Sequence, residues 1–143
     1  MRVSVLNGVN LDVLGKRDPE VYGGISLEEL ESRIYEWGRA LGLMVQCRQT
    51  NYEGEFVKWC HDALDAADGV VVNPAAWTHY SYAIRDAIEL IAVPVVEVHL
   101  SNIEEREEWR RNSVISELVG HRIVGQGPDG YRQALAYLKE RMP

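Results

Sequence analysis

Five short apolar runs alternate with longer segments whose apolar residues recur at three- and four-residue steps. The runs, residues 3–7, 43–49, 69–73, 93–100 and 122–125, predict strands. Three of them, GVVVN, VPVVEVHL and RIVG, carry the β-branched residues that suit a strand buried on both faces. The helical period first shows as a stripe of Leu27, Leu30, Ile34, Trp37 and Leu41, started by the S-x-x-E capping box of Ser26 and Glu29. A second stripe is Phe56, Val57, Cys60, Ala63, Leu64 and Ala67, and a third is Tyr80, Ala83, Ile84, Ala87, Ile88 and Ile91. The charged stretch EEREEWRR predicts a shorter helix. Tyr131, Ala134, Leu135 and Leu138 predict the last one, entered through Pro128 and Asp129.

Strict alternation of strand and helix means βαβ units, hence an α/β fold with a parallel sheet covered on both faces. No linker or shift of composition divides the chain, so residues 1–143 form one domain. Five such strands most often take the flavodoxin-like, doubly wound order 2-1-3-4-5. Ligands of open α/β sheets bind outside the carboxyl ends of the strands, where the order reverses; here that lies between strands 1 and 3, with strand 4 alongside. The segments leaving those three strands are polar: NGVNLDVLGKRDPEVYGG, NPAAWTHYS, and EVHLSN followed by Arg106, Arg110 and Arg111. The first runs to more than a dozen residues, where a strand-to-helix connection takes about 2 to 6.

Composition narrows the classes. An apolar share of 46% over 143 residues is that of an ordinary globular chain. A net charge of -7 argues against nucleic acid, which requires a basic face, but leaves room for an anionic small molecule held by a local arginine cluster. No apolar stretch reaches the ~18 to 20 residues of a membrane span, and no basic region precedes a long apolar core at the N-terminus. Cys47 and Cys60 lack CxxC spacing and read as buried apolar residues. The expectation is a cytoplasmic protein in a reducing setting, without membrane contact.

Glycines 125, 127 and 130 match G-x-G-x-x-G, but after the last strand and with no ribose-binding acid on a following strand, so no dinucleotide cofactor is expected. Strand 3 ends in Asn73, where phosphotransfer would need an aspartate. The four histidines have no metal-ligand spacing, and no metal is expected. His61 and His121 read as structural or surface residues, whereas His79 and His99 both fall at the ligand edge. Tyr22, Arg17, Asn10, Asn73, His79, His99, Ser101 and Arg110 then form a set with cations and donors for a carboxylate, amides and histidines for hydroxyls, and a tyrosine near an arginine. Without a nucleophile-elbow Ser or Cys or a strand-end lysine, that set points to acid–base chemistry on a small, hydroxylated, anionic molecule. Arg106, Arg110 and Arg111 also sit among glutamates at helical spacing, which is compatible with i,i+4 surface pairs, and Arg111 is read as one. Asp12, Lys16, Asp18 and Glu20 read as loop solvation.

Three blocks carry a resemblance. NGVNLDVLGKRDPEVYG resembles the N-G-P-N-L-x-x-L-G-x-R-x-P-x-x-Y-G signature of the type II 3-dehydroquinate dehydratases, NPAAWTHYSYAIRDA is similar to their second block, and VPVVEVHLSNIEEREEWRRNS to their third. The blocks stand in order and span essentially the whole chain. Val9 replaces the usual proline, Ala75 a common glycine, Trp77 a Tyr or Leu, and Trp109 a Phe.

The resemblance implies a flavodoxin-like lyase that takes 3-dehydroquinate to 3-dehydroshikimate and water by anti elimination, with no cofactor. It implies Tyr22 as the base, Arg17 as the cation favouring its tyrosinate, and Asn10 with the backbone near Ala76 as holder of the water that stabilises the enolate. His99, oriented by Glu97, would protonate the leaving hydroxyl. Asn73, Leu100 and Ser101 would grip the carboxylate, and His79 and Arg110 the ring hydroxyls. It further implies a homo-oligomer, a dodecamer built of trimers, in which Asp86 reaches a neighbouring subunit; read alone, Arg85 and Asp86 form a plain surface pair. Gly15, Gly23 and Gly24 would hinge the first loop as a lid. A binding module of the same fold, an oligomer built on a retired enzyme, and a related hydroxy-acid lyase are the competing classes; the presence of both Tyr22 and His99 favours the enzyme.

Overall fold

The computed structural model describes residues 1–143. Strands β1 (Arg2–Asn7), β2 (Met44–Gln49), β3 (Gly69–Asn73), β4 (Val95–His99) and β5 (His121–Val124) form one parallel sheet in the order β2-β1-β3-β4-β5. The flavodoxin-like order predicted from the alternation is the one observed. Helices α1 (Pro19–Tyr22), α2 (Leu27–Ala40), α3 (Glu53–Ala66) and α4 (Tyr82–Glu89) lie between the strands, and α5 (Asp129–Arg141) follows β5. No helix is long and apolar enough to cross a membrane.

Side chains alternate between the faces of a strand, and the two cores divide accordingly. Val3, Val5, Val71, Val96 and Val98 point to the face covered by α2 and α5 and pack with Leu30, Ile34, Leu135 and Leu138. Leu6, Val70, Val72 and Val95 point the other way, to Phe56, Cys60, Ile84 and Ile88 of α3 and α4. β3 and β4 are buried along their whole length, which is why they read as unbroken apolar runs. Trp77, one of the departures from the family pattern, is buried in the second core, edge-on to Phe56 with ring centroids 5.9 Å apart.

The structure moves several predicted boundaries. The Ser26 hydroxyl accepts from the Glu29 N–H at 3.1 Å, as the capping box requires. Strand 4 starts at Val95, not residue 93, and strand 5 ends at Val124 because Gly125 turns away at φ 73°. Helix α4 begins only after Ser81, whose hydroxyl caps the Ile84 N–H, so Tyr80 falls outside the helix and is 59% exposed. Leu64 is also exposed.

The largest correction concerns EEREEWRR, which forms two 3-10 turns, Ile103–Glu105 and Glu108–Arg111, with extended backbone between them. Ile103, just ahead of this stretch, is the only buried side chain in these turns, so no apolar stripe exists to hold a helix on the sheet. The first loop is likewise more ordered than its composition suggests. Leu11 and Leu14, in a 3-10 turn, enter the core beside α2, and Asp18 caps α1 by accepting from the Glu20 N–H at 3.0 Å. Asp18 is therefore a helix cap, not loop solvation.

Candidate active site

β1 and β3 are neighbours in register, with Asn7 opposite Asn73, so both side chains stand at the carboxyl edge of the sheet. β4 lies next to β3 and ends at His99. The segments leaving these three strands, together with α1, line one open cleft. Asn10, Arg17, Tyr22, Asn73, His79, His99, Leu100, Ser101 and Arg110 all line it. Of the residues the resemblance singles out, Glu97 sits behind the cleft wall, and Asp86 is on the exposed face of α4, away from its own chain's cleft.

Tyr22 ends the short α1 helix, where Gly23 and Gly24 follow with φ of 93° and 67°. Its phenolic oxygen accepts a hydrogen bond from Arg17 and a second from Arg106, at 2.7 Å. The Arg17 guanidinium carbon also lies 4.2 Å from the ring centroid. Both are charge-assisted hydrogen bonds converging on one oxygen. Arg106 gives a further, longer bond of 3.3 Å to the Ser101 hydroxyl. It lines the cleft, which decides between the two readings its sequence context left open, a cation at the ligand edge or a surface pair. The deciding feature is its place five residues after Ser101, in a stretch that the absence of an apolar stripe keeps from being a surface helix. Arg111, in contrast, is exposed.

His99 makes a 2.6 Å hydrogen bond through Nε2 to Glu97 Oε2. Glu97 is fully buried and also accepts from the Thr78 hydroxyl at 2.9 Å and the Ser113 hydroxyl at 3.1 Å, with Arg122 Nε 3.6 Å from its other oxygen. Burial opposes its ionisation, but the hydrogen bond and charge of His99, the Thr78 hydroxyl and the Arg122 charge together hold the carboxyl below the usual carboxylate range. An ionised Glu97 takes the proton-bearing Nε2 of His99 and leaves Nδ1 as the ring nitrogen for the cleft.

His79 is fixed through Nδ1, which donates to the Asn112 carbonyl at 2.6 Å. Burial pushes its pKa down, against the pull of that carbonyl, and the charges of His99 and Arg110 push it further. The net direction favours the neutral ring, whose Nε2 is then an acceptor. Trp109, half exposed, packs edge-on against His79 with centroids 5.2 Å apart. Arg110 is held by Glu107, Nε to Oε2 2.6 Å.

Asn10 has left-handed backbone at φ 69°, and its N–H is held by Asn51 Oδ1 at 2.8 Å. Asn51 in turn donates to Asp12 at 2.9 Å, which gives Asp12 a structural partner. Ala75 is also left-handed, at φ 57°, which explains why a glycine is common there. Cys47 and Cys60 are both pushed up to about 12 by burial and offer no thiolate. His61 is an exposed surface residue, as its sequence context implies, and His121 stacks on Tyr137 with centroids 4.6 Å apart.

The family model described as dehydroquinase class II matches residues 1–139. The chain belongs to the class II dehydroquinase family. It is 51% identical over 142 residues to a 3-dehydroquinate dehydratase of Thermotoga maritima, covering 99% of this chain and 97% of that one. The corresponding Salinispora tropica protein is 53% identical over 141 residues, with 99% of each chain covered. Among solved structures, the type II dehydroquinase from Propionibacterium acnes superposes with a TM-score of 0.94 at 47% identity, covering 97% of this chain and 96% of that one. For a class II dehydroquinase, the departures at Val9, Ala75 and Trp109 all sit at or beside the cleft, while the titratable residues of the motif are intact.

Proposed function

We infer that the chain is a type II 3-dehydroquinate dehydratase, a hydro-lyase converting 3-dehydroquinate to 3-dehydroshikimate and water in the shikimate pathway of aromatic amino acid biosynthesis. The observation that carries this reading is one cleft lined by a tyrosine oxygen facing two guanidinium groups and a histidine backed by a buried carboxylate.

The chemistry follows from those groups. Tyr22, as the phenolate stabilised by Arg17 and Arg106, takes the proton from the carbon next to the ketone. The electron pair moves onto the carbonyl oxygen as an enolate. Asn10 and the backbone near Ala76 hold a water that donates to that oxygen; one donor of this kind contributes about 3 to 4 kcal/mol to lowering the barrier. When the enolate collapses, the carbon–oxygen bond to the hydroxyl breaks, and His99 gives it the proton that makes water. Glu97 keeps the imidazole oriented and stabilises its charged form. Asn73, Leu100 and Ser101 hold the substrate carboxylate, and His79 and Arg110 the ring hydroxyls.

The chemistry described uses these side chains and no cofactor. The assembly is a dodecamer built as a tetramer of trimers, with Asp86 reaching the cleft of a neighbouring subunit, and the setting is cytoplasmic. Support for that placement is the position of Asp86, exposed on α4 and away from its own cleft. Light scattering checks it: a particle of about twelve chain masses is expected, and a monomer overturns the assembly.

The activity test is direct. Purified protein mixed with 3-dehydroquinate gains the ultraviolet absorbance of the conjugated product. A folded protein without turnover from neutral to alkaline pH overturns the reading. Inactivation by borohydride in the presence of substrate would point to a lysine imine instead.

A further inference from the structure

Tyr131 lies in the first turn of α5, distant in sequence from every residue assigned above, and its side chain is fully buried. Its hydroxyl stands between two buried amides at the carboxyl edge of the sheet. It accepts from Asn73 Nδ2 at 2.8 Å and donates to Asn7 Oδ1 at 2.6 Å. The other end of the Asn73 amide, Oδ1, accepts from the Ala75 N–H at 3.1 Å.

The direction of this chain of bonds is not free. A backbone N–H is always a donor, so Ala75 requires an oxygen opposite it and fixes which end of the Asn73 amide faces it. The NH2 end then faces Tyr131, whose hydroxyl must accept there and has its own proton left for Asn7. Turned round, the Asn73 amide would set donor against donor at Ala75. The Tyr131 hydroxyl satisfies the buried NH2 end and thereby removes any gain from a flip.

We propose that Tyr131 is a positioning residue for the reaction, locking Asn73 and the left-handed turn at Ala75 in the one arrangement that serves the cleft. The inference rests on the dehydratase reading. Two of the Asn73 amide's hydrogen-bonding positions are used inside the fold, so one N–H remains for the substrate carboxylate. The same lock holds the backbone at Ala75 and Ala76, which line the cleft, where the enolate-stabilising water is held. A second-layer hydroxyl therefore sets both contacts at once. It does so from an element that packs in the core.

A double-mutant cycle on the whole protein tests this. Tyr131→Phe, which keeps the ring and removes the oxygen, is expected to lower kcat/KM about 10- to 100-fold, as other removals of orienting partners do. In an Asn73→Ala background the same substitution is expected to cost less than about twofold, because its target is gone. Equal losses in both backgrounds, or no loss in the first, overturn the proposal. Asn7→Ala, which removes the acceptor for the Tyr131 proton, is the second variant should Tyr131→Phe not fold. It is expected to show a smaller loss, again absent in the Asn73→Ala background, and additivity overturns the proposal here too. Side-chain amide NMR gives a reading independent of turnover. The Asn73 NH2 signals are expected to lose protection from exchange in Tyr131→Phe while the native chain keeps it, and unchanged protection counts against the lock. Absence of turnover in the native chain, by contrast, removes the dehydratase reading and leaves the NMR result standing.

Discussion

Arg106 and Tyr22, far apart in the chain, meet in a 2.7 Å hydrogen bond that ties the first loop to the segment leaving β4. The same guanidinium lies 5.2 Å from the Tyr22 ring centroid and bonds Ser101. A charged donor of this kind contributes about 1.5 to 3 kcal/mol. Arg106→Leu is therefore expected to lower kcat about 10- to 100-fold, with KM changed less. Arg106→Lys, which cannot reproduce the planar fork, is expected to recover only part of the loss. Steady-state kinetics decide it, and native rates in Arg106→Leu would return Arg106 to the surface.

Tyr22→Phe separates base from binding. Turnover is expected to disappear while product binding, measured by calorimetry, stays within about tenfold, since one hydrogen bond contributes about 0.5 to 1.5 kcal/mol. Retained turnover would take Tyr22 out of the base role.

Ala75 holds a left-handed conformation at φ 57°, which costs an alanine about 1 to 2 kcal/mol. Glycine adopts it freely but has more unfolded-state entropy to lose, about 0.4 to 1 kcal/mol. The balance favours glycine, so Ala75→Gly is expected to raise the melting temperature by about 2 to 4 °C with kcat/KM no lower than native. A lower melting temperature in calorimetry would show that the turn is not under strain.

Gly8 lies where β1 leaves the sheet, and a Cβ there would collide with the backbone carbonyl of Pro74. The Asn73 carbonyl also accepts the Gly8 N–H at 2.8 Å, so the two strand exits cannot separate cheaply. Gly8→Ala is expected to destabilise by about 1 to 3 kcal/mol, the usual cost of overpacking. It is also expected to lower kcat/KM more than an equally destabilising change elsewhere, because Asn10 and Ala75 both move. Denaturant melts and kinetics on the same samples check the pair of effects.

Glu97 ionises below its ordinary value of 4.5 in the folded chain, despite burial, because His99, Thr78 and Arg122 favour the carboxylate. A depressed carboxyl stabilises the fold at pH above the unfolded value, and that contribution is lost as pH falls through the folded one. Glu97→Gln is thus expected to melt well below the native chain at pH 7, with the gap closing once the pH drops beneath 4.5. A gap that stays constant down to acid pH would mean that the charge of Glu97 contributes nothing.

The α/β class, the strand order and most of the cleft were legible in the sequence because each depends on local pattern. Apolar periodicity marks which face of an element is buried, and alternation of strands and helices leaves few topologies. Strand order then carries Asn10, Tyr22, Asn73, His79, His99 and Arg110 to the same edge. EEREEWRR was misread because its charges recur at helical spacing, yet spacing alone cannot supply an apolar face to pack.

What the chain by itself determined was therefore the fold, the set of chemical groups and the family blocks that hold them. Only the tertiary structure decided the partnerships. Arg106 on Tyr22, Asn51 on the Asn10 backbone, Arg122 near Glu97, and Tyr131 between Asn7 and Asn73 join residues from different elements. None is visible as a local pattern. A hydrogen bond depends on where two atoms lie in space to within a few tenths of an ångström, and that placement is set by the packing of the whole core.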